Sequence, residues 1–391
     1  MITSSCNTST EAKTCNTCNG GNVMKRKLAV VLAAAIAAMS MTGCLGNTAT
    51  TQTTAAETQS AASEAQTTEG DERKIENSEN LTYQFDTANV ESHTFSLSTT
   101  ASSGSALADV THHFADRVEE LSDGKMKVDV FEGSSLGTEA QNLEALTAGT
   151  LDMAVIAVEF YVNSIPQLGA LILPYMYDDY DQVQKVLESE AGEYASEQLR
   201  EVAKVQNLGY YVMAFRNMYS KKPINSVDDL KGFKMRVPES SLYVDTFRML
   251  GAAPTPLASG EVYTALDTGV VDGVENTSDS CLHLSWFEVA PYFNKTNHLN
   301  APTTFSMSAA VFDRLNDDEK NILLQAGLDA SHYGLESTKA SDEANRKELE
   351  SKMTFVDTDV ESMRAKIDYT AYDFMQSDEA KKLFELVQEN K

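Results

Sequence analysis

The stretch Phe233–Asn276, FKMRVPESSLYVDTFRMLGAAPTPLASGEVYTALDTGVVDGVEN, decides the fold. It opens with a short strand, Lys234–Val237, in which Met235 and Val237 face one way and Lys234 and Arg236 the other. Pro238 has no N–H for a ladder and ends the strand. Ser240 then predicts the N-cap of an amphipathic helix that Gly251 closes at C′. A second helix is expected with Ser259 as N-cap, Val262, Tyr263 and Leu266 as its apolar face, and Gly269 as its stop. The apolar run Val270–Val274 predicts a strand that delivers Glu275 and Asn276 to its carboxyl end. In open α/β sheets, ligands sit outside such ends, near helix N-termini. Arg236 and Asn276 both fall there.

Upstream, His93–Thr99 reads as a strand. Ser105–Asp123 reads as a helix with Leu107, Val110, Phe114, Val118 and Leu121 at spacings of three and four. Its adjacent His112 and His113 face apart and cannot share a metal. Met126, Val128 and Val130 alternate along a second strand. Thr138 caps a helix ended by Gly149, and Leu151–Val158 is the apolar run of a strand covered on both faces. This β-α-β-α-β order predicts a doubly wound α/β domain. Glu159, just past that strand, is a candidate hydroxyl-binding residue. One long helix is expected over 180–205, and a strand over 207–215 that ends in Arg216.

Downstream, a helix around Leu282–Val289 carries Trp286, and strands follow near Thr296–Leu299 and Thr303–Ala310. Asn316 caps a helix expected to run from Asp317 to Lys352, with Asp317, Asp318 and Glu319 suiting its positive end. At about 1.5 Å per residue it would be roughly 54 Å long, and Gly327 and Gly334 are expected to bend it. A strand (Met353–Val356) and closing helices complete the chain.

The 391 residues are enough for two domains, and 42% hydrophobic content supports a sizeable core. A formal charge of −27 argues against nucleic acid and anionic membrane surfaces as partners. Met24–Lys27 followed by Leu28–Met39 has the basic and apolar parts of a secretory signal, too short to span a membrane. Met41-Thr42-Gly43-Cys44 resembles a bacterial lipobox, so cleavage before Cys44 and lipidation of Cys44 are expected. Residues 1–43 are therefore read as leader and signal, with Met24 as the expected start. Residues 44–90 carry few large apolar side chains and read as a disordered tether. No H-E-x-x-H metal motif, glycine-rich phosphate loop or dinucleotide fingerprint occurs, and no cofactor or metal is implied. The 58 acidic residues leave a carbohydrate-active enzyme open as an alternative.

Four motifs in order, Lys234–Pro238 (KMRVP), Pro254–Pro256 (PTP), Gly260–Leu266 (GEVYTAL) and Val271–Asn276 (VDGVEN), resemble the solute-binding proteins of TRAP transporters, the DctP family. Weaker similarity runs from about His93 to the C-terminus. The resemblance implies an α/β, two-lobed periplasmic-binding-protein-like fold with hinge strands and a long helix spanning both lobes. Lobe I would comprise 91–212 with 302–341, and lobe II 213–301 with 342–391. It also implies a receptor, expected as a monomer, that hands a small organic acid to small and large TRAP membrane subunits. With the lipobox, it is expected on the outer face of the cytoplasmic membrane through Cys44, or in the periplasm. A binding protein of an ATP-coupled importer is the alternative within the binding class.

By the same resemblance Arg236 holds the ligand carboxylate, Arg216 is a second ligand arginine, and Asn276 hydrogen-bonds the ligand. Glu239 stands where relatives place a polar residue beside it. Ser259 replaces the Phe or Trp that walls the pocket in many relatives. That change implies a larger, more polar pocket, suited to a hydroxylated sugar acid over a compact C4-dicarboxylate.

Overall fold

A computed structural model describes residues 82–391. The leader, the signal, Cys44 and most of the expected tether lie outside the described residues. The tether was expected to reach residue 90, but Tyr83–Val90 packs along the long helix. The amides of Asp86 and Glu91 donate to Asp318 and Glu319, at 2.8 and 2.9 Å, and Val90 is buried.

The chain begins β1 (His93–Ser98), α1 (Ala106–Leu121), β2 (Met126–Phe131), α2 (Glu139–Ala148), β3 (Met153–Ala157) and α3 (Val158–Tyr161). Then come α4 (Tyr180–Leu187), α5 (Glu190–Gln198), β4 (Val205–Tyr211), β5 (Arg216–Ser220), β6 (Lys234–Val237), α6 (Ser241–Met249), β7 (Ala253–Pro256), α7 (Val262–Asp267), β8 (Gly273–Asn276) and α8 (Ser278–His283). The rest is β9 (Tyr292–Leu299), β10 (Thr303–Ser308), α9 (Ala309–Phe312), α10 (Asp317–Glu350), β11 (Thr354–Val356), α11 (Val360–Arg364) and α12 (Asp378–Asn390).

The strands form two sheets, one ordered β2-β1-β3-β10-β4 and one ordered β11-β9-β5-β8-β6-β7. The chain passes between them at two short connections, 212–215 and 300–302. Because β4 pairs antiparallel with β10 and β5 with β9, these connections run side by side. Asn300 Nδ2 donates to the Met213 carbonyl at 2.6 Å and ties one to the other. The single strand expected over 207–215 is thus two strands in different sheets, and Arg216 opens the second instead of closing the first.

The helix expected over 180–205 is also broken. Ser189 caps a new helix, and Gly192 lies so close to the Leu187 carbonyl that a Cβ there would come within 1.9 Å of its oxygen. Thr138 forms a full capping box at α2, and Gly149 stops that helix at φ 73°. The β8 strand is shorter than its apolar run: Val270 is exposed and only Gly273–Asn276 pairs.

The long helix α10 crosses β4 at a contact of backbone on backbone. A Cβ on Gly327 would lie 2.1 Å from the Leu208 oxygen, and one on Gly209 would lie 2.4 Å from the Gly327 oxygen. These glycines permit this close approach. Farther along, Thr338 bonds the Val212 carbonyl, and Asp342 accepts from Tyr180 at 2.7 Å and from Ser278 at 2.5 Å. Leu349 ends in the core around Trp286 and Phe293 on the second sheet. The helix therefore spans both lobes.

The closing helix departs from the lobe boundaries expected from sequence. The closing helix α12 packs against Pro166–Leu171, α4 and α5, on the side of the first sheet, although 342–391 was expected with lobe II. Its buried face, Ala380, Leu383 and Val387, joins an apolar cluster already built from Leu171, Val186 and Ala195.

Candidate ligand-binding cleft

The two lobes enclose a cavity of about 610 Å³. Thr100, Glu139 and Glu159 line it from the first lobe, and Arg236, Glu239, Ser259 and Asn276 from the second. Arg216 stands at the junction.

β6 lies beside β8 and β7, so its alternate residue Arg236 points from the sheet into the cleft wall. Arg236 is 3% exposed, and its Nε and Nη2 both donate to the Leu257 carbonyl, at 3.0 and 2.5 Å. Among the described residues no carboxylate lies within 4.0 Å of it. Burial pulls its pKa down to about 10, with neighbouring Glu275, Glu159 and Glu139 acting against that pull, so it stays charged at neutral pH.

Arg216 is different. Nε and Nη2 meet the two oxygens of Glu275 at 2.6 and 2.7 Å, and Nη1 lies 3.4 Å from Glu159. Its guanidinium also stands 5.0 Å from the Tyr243 ring centre, and Glu275 takes a further contact from His298 at 3.3 Å. Burial disfavours both charges, yet the pairing overrides it. The Arg216 pKa is raised and that of Glu275 lowered. Arg216 therefore reaches the cleft as one half of an ion pair.

Two carboxyl groups face these arginines. Glu159 is buried, which pushes it up to about 7 against the pull of Arg216, and its Oε2 has no hydrogen-bond partner. Glu139, in the first turn of α2, accepts from the Ala157 amide at 3.0 Å and still touches cleft solvent. Burial and then Glu159 push it up to about 8.

Asn276 ends β8; its Oδ1 accepts from the Thr277 amide at 2.8 Å, leaving its NH₂ without a partner among the described residues. Glu239 is exposed on the rim, where its carbonyl accepts from Asn163 of the first lobe at 2.7 Å. Ser259 lies inside a short 3₁₀ turn and makes no capping bond, so the expected N-cap is absent. The predicted cleft residues are thus brought together around one cavity. Cys44 lies outside the described residues.

Sequence reading missed the role of Glu139, seen only as a helix start, and the pairing of Arg216 with Glu275. The letters Gly133–Gly137, GSSLG, also fit a serine-hydrolase elbow. Ser135 is exposed there, and no histidine hydrogen-bonds it among the described residues.

Two lobes joined by paired connections, closing on a polar cavity with a buried cation, define a small-molecule binding protein. The model of the bacterial extracellular solute-binding protein family 7, DctP, matches residues 97–378, and the chain belongs to this family. A solute-binding protein of Roseobacter denitrificans is 35% identical over 253 residues, covering 64% of this chain and 78% of the relative. The sialic acid-binding periplasmic protein SiaP of Vibrio cholerae is 30% identical, covering 60% and 73%.

Among solved structures, a TRAP periplasmic solute-binding protein of Roseobacter denitrificans with bound L-galactonate superposes with TM-score 0.70 at 32% identity. The match covers 77% of this chain and 99% of that one. The sugar acid binding protein of Advenella mimigardefordensis with galactonate gives TM-score 0.74 at 26% identity, covering 78% and 100%. The fold is the two-lobed TRAP receptor fold, and the chain is an extracytoplasmic solute-binding protein of that class.

Proposed function

We propose that the cleft binds a sugar acid with a single carboxylate, an aldonate or a uronate, and delivers it to the small and large TRAP membrane subunits. The observation that carries this reading is the contrast between the two arginines. Arg216 is neutralised by Glu275, so Arg236 is the buried cation left for one ligand carboxylate, which a planar guanidinium can grip by two bonds. A C4-dicarboxylate would bring a second negative charge, for which Arg216, already paired with Glu275, offers no free cation. Glu139 and Glu159, with Thr100, Ser259 and Asn276, suit hydroxyl groups. The galactonate, galacturonate and glucuronate bound by similar structures support the same class.

In this reading the lobes follow the sheets, 91–212 with 302–341 and 213–301 with the stretch from 342, the closing helix excepted. Closure is favoured by ligand contacts to both lobes. The chain acts as a monomeric receptor and not as an enzyme. Met41–Cys44 supports attachment to the outer face of the membrane through a lipid on Cys44.

Calorimetry against galactonate, gluconate, galacturonate, glucuronate, succinate and malate tests the substrate class. Saturable binding of an aldonate or uronate with no heat from the dicarboxylates is expected. Preference for succinate or malate would overturn it.

A further inference from the structure

Asp279 and His283 sit one turn apart on α8, in the second lobe, and reach the first lobe together. Asp279 Oδ1 accepts from the Ala106 amide, the first N–H of α1, at 3.2 Å. The His283 Nδ1 lies 3.3 Å from that same oxygen and 3.1 Å from the Asp279 carbonyl, and the Gly104 backbone lies beside the ring. Asn345 on α10 donates to Asp279 Oδ1 at 3.3 Å. The pair is poorly exposed, with side chains 26% and 16% accessible for His283 and Asp279.

We infer that Asp279 and His283 form an interlobe latch, in which the carboxylate holds the end of α1 and the imidazole fixes the carboxylate. The latch sets how long the closed cleft retains its ligand. This rests on the cleft being the ligand site. Both residues line the cavity, and the segment beside them, Gly104–Ala106, adjoins the cavity wall at Thr100–Ser102. A carboxylate accepting an otherwise unsatisfied helix N–H makes a charge-assisted bond, stronger than a neutral one. Because the backbone of one lobe is gripped by a side chain of the other, separation of these segments breaks the Ala106–Asp279 bond, which His283 and Asn345 keep in place from their own side.

The test uses His283→Ala, Asp279→Ala and the double variant. Galactonate dissociation is followed by stopped flow, and amide exchange over residues 104–107 is followed with and without galactonate. Each single variant is expected to release ligand about tenfold faster, the scale of 1.4 kcal/mol. Its exchange at the Ala106 amide should rise, and the double variant should match the worse single one because the two side chains act as a unit. Wild-type release rates and wild-type exchange in both single variants would overturn the latch, as would additive effects in the double. If wild-type protein binds no sugar acid, the functional reading fails by itself. Exchange without ligand then decides the latch: faster exchange in the variants supports it, and unchanged exchange overturns it. His283→Ala carries the test should Asp279→Ala not fold.

Discussion

Arg216 and Glu275 meet through two parallel bonds of 2.6 and 2.7 Å at the place where the chain enters its second sheet. Both side chains are buried, and they sit 59 residues apart in sequence. Removing one partner leaves the other charged, buried and alone, at a cost of about 3–5 kcal/mol. Arg216→Met is therefore expected to lower the denaturation midpoint strongly, and Arg216→Met with Glu275→Met to recover most of the loss. Urea unfolding of the three variants checks this. Equal destabilisation by the single and double changes would refute the pairing as the cause.

Arg236 predicts the opposite pattern. It has no carboxylate partner within ion-pair distance among the described residues, so Arg236→Met removes an uncompensated buried charge. Thermal stability without ligand should hold or rise. Galactonate affinity should fall at least 100-fold, about 2.7 kcal/mol. Arg236→Lys should recover little, since an ammonium cannot make the paired bonds. Calorimetry and thermal melts separate the two effects.

Glu139 gives a pH signature. Its carboxyl is raised from 4.5 to about 8, with Glu159 as the neighbouring negative group and Arg216 and Arg236 as the opposing positive ones. Between those values the folded protein holds a proton that the unfolded chain has already released. Stability from this group therefore falls as pH rises through that window. Glu139→Gln escapes the fall. Its melting temperature relative to wild type should climb from pH 5 to pH 8; a constant difference would disprove the assignment.

Gly327→Ala tests the crossing of α10 over β4. In an exposed helix this change would gain about 1 kcal/mol. Here the new methyl would meet the Leu208 oxygen at 2.1 Å, so a loss is expected instead. A fall of several degrees in melting temperature, about 2–4 °C per kcal/mol for a body this size, would show it.

What the sequence makes legible is local. The first strand and helix of residues 233–276 fold as read because their signals act over a few residues, as with Pro238 and Gly251, whereas the Ser259 cap and the start of the last strand do not. Arg236 and Asn276 reach the cavity for the same reason: they stand next to last in β6 and last in β8, strands that a short motif announces. The lobe crossing at 212–215 is hidden, because an apolar run looks alike whether it stays in one sheet or leaves it. The break at Ser189 is hidden too, since helical spacing continues through it and only the Gly192–Leu187 contact shows the kink. Ion pairs such as Arg216–Glu275 depend on tertiary proximity, and no spacing rule reports them.

The two jaws of the cavity do different work. Arg236, Asn276 and Ser259 belong to the second lobe, while Glu139, Glu159 and Thr100 belong to the first. A metabolite gripped by its acid end on one jaw would meet the other through its alcohols. A plain fatty or keto acid could then dock yet leave the mouth ajar, so discrimination would come from shutting and not from first contact.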